Sequence, residues 1–274
     1  MSLSISGKTA IVTGAAHGIG ACIARHFVDR GANVMFADID DAKLCADVGE
    51  DAANEGPVRY FAGDLCQKLT INNLISATID AFDRIDILVN ASRCFAVSDP
   101  LSVEDDLLDK MLRQNLTSGL RLSQMVAKRM ISQAEKEGRE EGEAIGSIIN
   151  LSSIAAQRSQ PELLAYSIAC AAQDQATRSL ALALAPKGIR VNAVGPGRIE
   201  TEGTAGRTGG NEDSLIGASA IALGRWGRAN DIAEAIGFLC SPQSSYITGQ
   251  VIWVDGGLTI GTNDYLRHMR TSKK

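Results

Sequence analysis

Thr9-Ala10-Ile11-Val12-Thr13-Gly14-Ala15-Ala16-His17-Gly18-Ile19-Gly20 is the stretch that decides the fold. Its first five residues form a short, β-branched, apolar run, the pattern of a buried strand. Three glycines follow at GxxxGxG spacing, and a helical pattern then continues through Arg30. Gly14 permits a tight turn, Gly18 lets backbone approach a ligand, and Gly20 lets helix and strand pack closely. A helix that opens in this way presents unpaired N–H groups and the positive end of its dipole, a suitable seat for a pyrophosphate. His17 and Ile19 lie within the same turn and are expected beside the same ligand.

Working outward, further short apolar runs recur at Asn33–Asp38, Val58–Ala62, Ile85–Asn90, Ser147–Ser152, Ile189–Val194 and Gln250–Asp255, with helical patterns between them. Nearly continuous apolar strands have both faces covered, which marks a parallel sheet between helices. The alternation predicts an α/β fold: a three-layer, doubly wound Rossmann arrangement on a mainly parallel seven-stranded sheet. No internal repeat or linker interrupts it, so residues 1–274 read as a single domain. Residues 198–222, rich in Gly, Thr and Ser, follow the sixth strand at its carboxyl end and are expected to form a substrate loop. The polar, basic tail from Asp264 to Lys274 is expected to fray.

The bulk numbers exclude other classes. Of 274 residues, 45% are hydrophobic and 22% charged, with a formal net charge of −5. A mildly acidic chain without a basic stripe argues against a nucleic-acid partner. No apolar run approaches the roughly 20 residues of a membrane span, and the first residues lack a signal-peptide pattern. The six cysteines are scattered, with no CxxC pair, which predicts reduced thiols and a cytoplasmic location.

Asp38 ends the second strand, where a carboxylate accepts hydrogen bonds from adenosine ribose hydroxyls and repels a 2′-phosphate. With no Arg or Lys in the turn after Gly14, the expected cofactor is NAD. Asp64-Leu65 ends the third strand, where the carboxylate is placed to meet the adenine amino group; an ordinary strand-end aspartate is the competing reading.

With these blocks in place the chain resembles the classical short-chain dehydrogenase/reductase family from Lys8 to about Thr259. Further blocks carry the resemblance: Ile87-Leu88-Val89-Asn90-Ala91, Asn150-Leu151-Ser152-Ser153 with Tyr166, and Asn192-Ala193-Val194-Gly195-Pro196-Gly197 with Thr201. The resemblance implies an NAD-dependent oxidoreductase acting on an alcohol or ketone, and a homodimer or homotetramer. Ser153 precedes Tyr166 by thirteen positions, the family spacing. By the resemblance Ser153 would bind the substrate oxygen and Tyr166 would exchange a proton with it. Asn115 would hold a relay water. Asn90, Ala91, Ser92, Pro196, Gly197, Ile199 and Thr201, with position 170, would contact the cofactor.

Two departures qualify that expectation. The family places a lysine four residues after the tyrosine, whereas this chain reads Tyr166-Ser167-Ile168-Ala169-Cys170. The family reads Asn-Asn-Ala-Gly after the fourth strand, whereas this chain reads Asn90-Ala91-Ser92-Arg93. An unassisted tyrosine titrates near ~10, leaving about 0.1% tyrosinate at pH 7. A thiol supplies no charge, and a thiolate would act in the wrong direction. Arg93 either reaches the tyrosine or ribose and partly replaces the lost cation, or it points outward or lies along the pyrophosphate. The alternative to a working enzyme is a silent NAD-binding protein of the same fold.

Overall fold

The computed structural model describes residues 4–53, 55–103, 106–140, 142–201, 218 and 220–261. Most of the 198–222 loop and the tail from Asp264 therefore lie outside the described residues. In chain order the elements are β1 (Thr9–Thr13), α1 (Gly18–Asp29), β2 (Asn33–Asp38), α2 (Asp41–Ala53), β3 (Val58–Ala62) and α3 (Lys68–Phe82). They continue with β4 (Ile87–Asn90), α4 (Leu107–Leu112), a π turn (Arg113–Thr117), α5 (Ser118–Lys136), β5 (Gly146–Leu151) and α6 (Leu164–Leu184). The last are β6 (Ile189–Pro196), β7 (Ile199–Glu200), β8 (Gly227–Arg228), α7 (Ala229–Cys240) and β9 (Val251–Val254).

Seven strands form one parallel sheet in the order β3-β2-β1-β4-β5-β6-β9. This is the expected Rossmann-like α/β fold. The period-2 geometry of a strand sorts its side chains between two cores. Ala10 and Val12 of β1, Val34 and Phe36 of β2, and Ile87 and Val89 of β4 join Ile23 and Phe27 of α1 and Ile232 and Ile236 of α7 in one. Ile11, Met35 and Leu88 face the other side, against Ile71 and Leu74 of α3 and Leu122 and Val126 of α5.

β7 and β8, two residues each, pair in parallel beside the sheet. Ile199–Glu200 is thus a short strand rather than part of a loop. Pairing with a segment 28 positions later in the sequence is a long-range contact that local composition does not encode.

The direction of winding reverses between β1 and β4, which are adjacent in the sheet. A crevice opens there at the carboxyl ends of the strands. Thr13 closes it from below, its Oγ1 accepting from the backbone N–H of Ala91 at 3.1 Å and of Ser92 at 3.0 Å. The loop after β4 is thereby tied to the end of β1.

Candidate active site

The turn after β1 lies where its glycines require. Gly14 (φ +69°) and Gly18 (φ +51°) adopt left-handed backbone. A Cβ on Gly14 would stand 2.7 Å from the carbonyl oxygen of Ala91. A Cβ on Gly20 would fall 2.6 Å from the carbonyl carbon of Gly14, even closer to its oxygen. Backbone therefore passes backbone at distances no side chain allows, and helix α1 starts at Gly18 aimed into the crevice.

A groove of about 600 Å³ occupies that crevice. Gly14, His17, Gly18, Ile19, Gly20, Asp38, Asp64, Leu65, Ala91, Ser92 and Thr201, all expected at a cofactor, line it. Ile39, Gly63, Cys66, Arg93, Cys94, Gln114, Ser118 and Leu151 complete it. Ile39 and Gly63 follow strand ends and were within reach of sequence reasoning. Gln114 and Ser118 arrive through the packing of the π turn, a feature enriched at functional sites that no composition signal announces.

The carboxylate of Asp38 is held by three backbone N–H groups, from Ala16 at 3.1 Å, Ile39 at 2.7 Å and Asp40 at 3.2 Å. It presents a fixed negative charge at the far end of the groove. His17 turns outward to Asp40, 2.9 Å away. Asp64 accepts from the backbone N–H of Cys66 at 2.9 Å, which with other hydrogen bonds draws its carboxyl below the ordinary range.

Several residues expected at the groove are placed elsewhere. The Asn90 amide donates at 2.8 Å both to Ser123 Oγ and to Asn150 Oδ1. Its side chain therefore braces β4 against β5 and α5, because strand alternation turns it inward. Pro196 pairs with Val254 in the sheet, Gly197 packs against Asp255, and Ile199 is buried in the β7–β8 ribbon. Cys170 is 1% exposed and sits beneath Arg93 rather than on the groove.

The proton-transfer candidate Tyr166 does not line the groove; Arg93, which does, stands against its ring. Ser153 starts a 3-10 turn after β5, its Oγ accepting from the Ala155 N–H at 3.3 Å. Tyr166, in the first turn of α6, is 7% exposed, and its hydroxyl interacts with the Ser153 hydroxyl and the Cys170 thiol. Phe95 packs edge-on against the Tyr166 ring at 5.2 Å. Asn115 lies in the π turn, and its side chain is committed to the backbone of Cys94: Oδ1 accepts from N at 2.7 Å and Nδ2 donates to O at 2.8 Å. That amide anchors the loop carrying Arg93.

Arg93 points inward, not outward. Nη1 donates to the carbonyl of Ser152, Nη2 donates to Cys170 Sγ at 3.0 Å, and the guanidinium carbon lies 5.2 Å from the centroid of the Tyr166 ring. Burial pushes the Tyr166 hydroxyl above its ordinary value; the Arg93 charge opposes that, and Cys170 adds to it. Burial likewise raises the Cys170 thiol against the pull of Arg93, so the sulfur is a neutral acceptor at neutral pH. Arg158, in the loop after Ser153, is occupied elsewhere, donating to the carbonyl of Leu258 at 2.8 Å.

The groove and its cradle fit a dinucleotide: a glycine-lined helix N-terminus at the centre and an acidic strand end at one side. Comparison with known proteins agrees. The family model described as Enoyl-(Acyl carrier protein) reductase matches residues 14–259. The chain is 33% identical over 258 residues to 3-oxoacyl-(acyl-carrier-protein) reductase FabG of Thermotoga maritima, covering 94% of this chain and 100% of that protein. It is 32% identical over 266 residues to sorbitol dehydrogenase of Cereibacter sphaeroides, covering 93% and 98%. It is 34% identical over 262 residues to the (S)-acetoin-forming diacetyl reductase of Staphylococcus epidermidis, covering 92% and 98%. A solved structure from Agrobacterium tumefaciens superposes with a TM-score of 0.84 at 26% identity, covering 94% of this chain and 98% of that one. The structure of gox2181 superposes with a TM-score of 0.83 at 29% identity, with the same coverage. The chain belongs to the short-chain dehydrogenase/reductase family of oxidoreductases that use nicotinamide cofactors.

Proposed function

We propose that this protein is an NAD(H)-dependent oxidoreductase that interconverts a small alcohol and the corresponding carbonyl compound. The observation that carries the reading is the juxtaposition of Ser153 and Tyr166 beside Arg93, which itself lines the end of the groove opposite Asp38. A bound nicotinamide would supply or accept the hydride. The Gly14–Gly20 turn seats the pyrophosphate, Asp38 takes the adenosine ribose, and Asp64 and Leu65 flank the adenine side. Ala91, Ser92 and Thr201 line the central part. Ser153 holds the substrate oxygen by a hydrogen bond, and Tyr166 exchanges a proton with that oxygen. Asn115 keeps the Cys94–Arg93 loop in place.

Asp38 supports NAD(H) over NADP(H), because a fixed carboxylate at the ribose repels a 2′-phosphate. Titrating the protein with NADH and NADPH by fluorescence tests this. NADH is expected to bind at least about tenfold more tightly, a difference of ~1.4 kcal/mol. Asp38→Ala should narrow the ratio, chiefly by weakening NADH. Absence of NADH binding overturns the cofactor and the reaction together.

The raised Tyr166 value sets the pH behaviour. A hydroxyl that ionises above its ordinary value is protonated at neutral pH and serves as an acid, which suits carbonyl reduction. In the oxidative direction the base form is needed, so kcat/KM should climb roughly tenfold per pH unit through the alkaline range. A screen of alcohols and ketones against both cofactor states, followed by pH profiles in each direction, measures this. A bell-shaped oxidation profile with its optimum near neutrality would contradict the assignment of Tyr166.

The described elements gather on one main sheet, which supports a single domain across residues 1–274. Large apolar side chains exposed on helix α6, Leu164, Ile168 and Leu182, together with Tyr246, support association as a homodimer or homotetramer. No helix among the described residues is long and apolar enough to cross a membrane. The six free thiols support a reducing, cytoplasmic location.

A further inference from the structure

Proton exchange at Tyr166 calls for a nearby positive charge. A tyrosine this deeply buried resists ionisation, and a neutral thiol one turn along the helix does nothing to help it. Arg93 reaches the same point from another strand. β4 and β5 are neighbours in the sheet, so the loop after β4 faces the segment after β5 that carries Ser152 and Ser153. Two contacts aim the side chain, Nη1 on the Ser152 carbonyl and Nη2 on Cys170 Sγ at 3.0 Å. The loop is itself pinned at both ends, by Thr13 on Ala91 and Ser92 and by Asn115 on Cys94. A longer side chain at position 170 would run into the guanidinium, whose Nη2 already stands 3.0 Å from Cys170 Sγ.

We propose that Arg93 is a positioning residue that supplies, from the loop after β4, the positive charge that holds Tyr166 ready for proton exchange, and that Cys170 is the neutral acceptor that seats it. The inference deepens the oxidoreductase reading and rests on it for its purpose. The pairing of charge and tyrosine can be measured without turnover. The titratable groups acting on Tyr166 are Arg93 from the loop after β4 and Cys170 from its own helix. Asp174, one turn beyond Cys170, is 5% exposed and also feels the Arg93 charge. Ser153 contributes a hydroxyl, and α4, packed on α6, turns Met111 and Leu107 toward the cluster. The charge of Arg93 acts against the burial of Tyr166 and is the largest influence favouring the tyrosinate.

The test is a pH titration of ζ-¹³C-tyrosine-labelled protein by NMR. The chain has four tyrosines, and Tyr166→Phe identifies the signal. Arg93→Met should lower the Tyr166 tyrosinate fraction at a fixed alkaline pH by about tenfold or more. Arg93→Lys should stay within about threefold of the parent protein. Combining Arg93→Gly with Cys170→Lys returns one cation to the cluster from helix α6. This pair should likewise restore the Tyr166 titration, whereas Cys170→Lys alone crowds two cations and should lower the thermal midpoint. An unmoved Tyr166 signal in folded Arg93→Met overturns the proposal. If that variant does not fold, a double variant whose Tyr166 remains as hard to ionise as a tyrosine with no nearby cation overturns it instead. NADH binding and turnover are followed in parallel. Loss of NADH binding in the parent protein removes the oxidoreductase reading but leaves the tyrosine result standing. Turnover with an unmoved tyrosine removes only the role of Arg93.

Discussion

Tyr166→Phe is expected to lower kcat by about 10²–10⁴-fold, the range that a positioned proton donor or acceptor contributes. The change removes one oxygen and leaves the ring. The edge contact with Phe95 and the stack under Arg93 both involve the ring, so both persist. NADH affinity should therefore stay within about twofold, since the tyrosine does not line the dinucleotide groove. The fall should appear equally in kcat and kcat/KM, because the lost interaction matters only as the proton moves. Steady-state kinetics beside an NADH titration measures both. Unchanged turnover would remove Tyr166 from the chemistry and leave Ser153 without a partner in the reaction.

Gly20→Ala is expected to damage cofactor binding and folding together. The added Cβ would meet the carbonyl group of Gly14, with its carbon 2.6 Å away, and the carbonyl oxygen of Thr13 at 3.2 Å. These are backbone atoms at the end of β1 and cannot swing aside as a side chain would. Either α1 moves off the sheet or the turn opens, and in both cases the N–H groups meant for pyrophosphate lose their aim. Overpacking of this kind costs about 1–3 kcal/mol. For a chain of this size each 1 kcal/mol lowers the thermal midpoint by roughly 2–4 °C. NADH affinity should fall by more than about tenfold, as the pyrophosphate seat is lost. Gly18→Ala is the informative comparison: its Cβ would stand 3.5 Å from the Thr201 side chain, in ordinary contact, so only the cost of its positive φ remains. Thermal melts and NADH titrations of the two variants should rank Gly20→Ala well below Gly18→Ala. Equal behaviour would show that the close approach of helix and strand does not govern the site.

The parts of the site legible in the sequence are those governed by neighbours along the chain. GxxxGxG between an apolar run and a helical pattern is a local signature, because the turn, the helix start and the anion seat all form within a dozen residues. The seat of the Asp38 carboxylate is local as well, since it is held by the N–H groups of the residues beside it and of the turn it faces. The nearly continuous apolar runs were enough to predict a sheet covered on both faces, and seven strands form the main sheet.

Where a side chain points off a strand end or loop was not legible, and there the tertiary structure decided. Asn90 was expected to contact the cofactor, yet the pleat turns its amide into a network with Ser123 and Asn150. The ribbon of Ile199–Glu200 with Gly227–Arg228 joins segments that no local pattern links. By itself the sequence determined that this chain builds a Rossmann-like sheet with a glycine turn at the end of β1, that Ser153 precedes Tyr166 by thirteen positions, and that a lysine is missing and an arginine gained. Only the tertiary structure brought those last two changes to one point. Arg93 and Cys170 are 77 positions apart, and they meet because β4 pairs with β5 while α6 packs beside the loop between them. Contacts that distant are set by how elements pack, and side-chain chemistry along the chain carries no record of them.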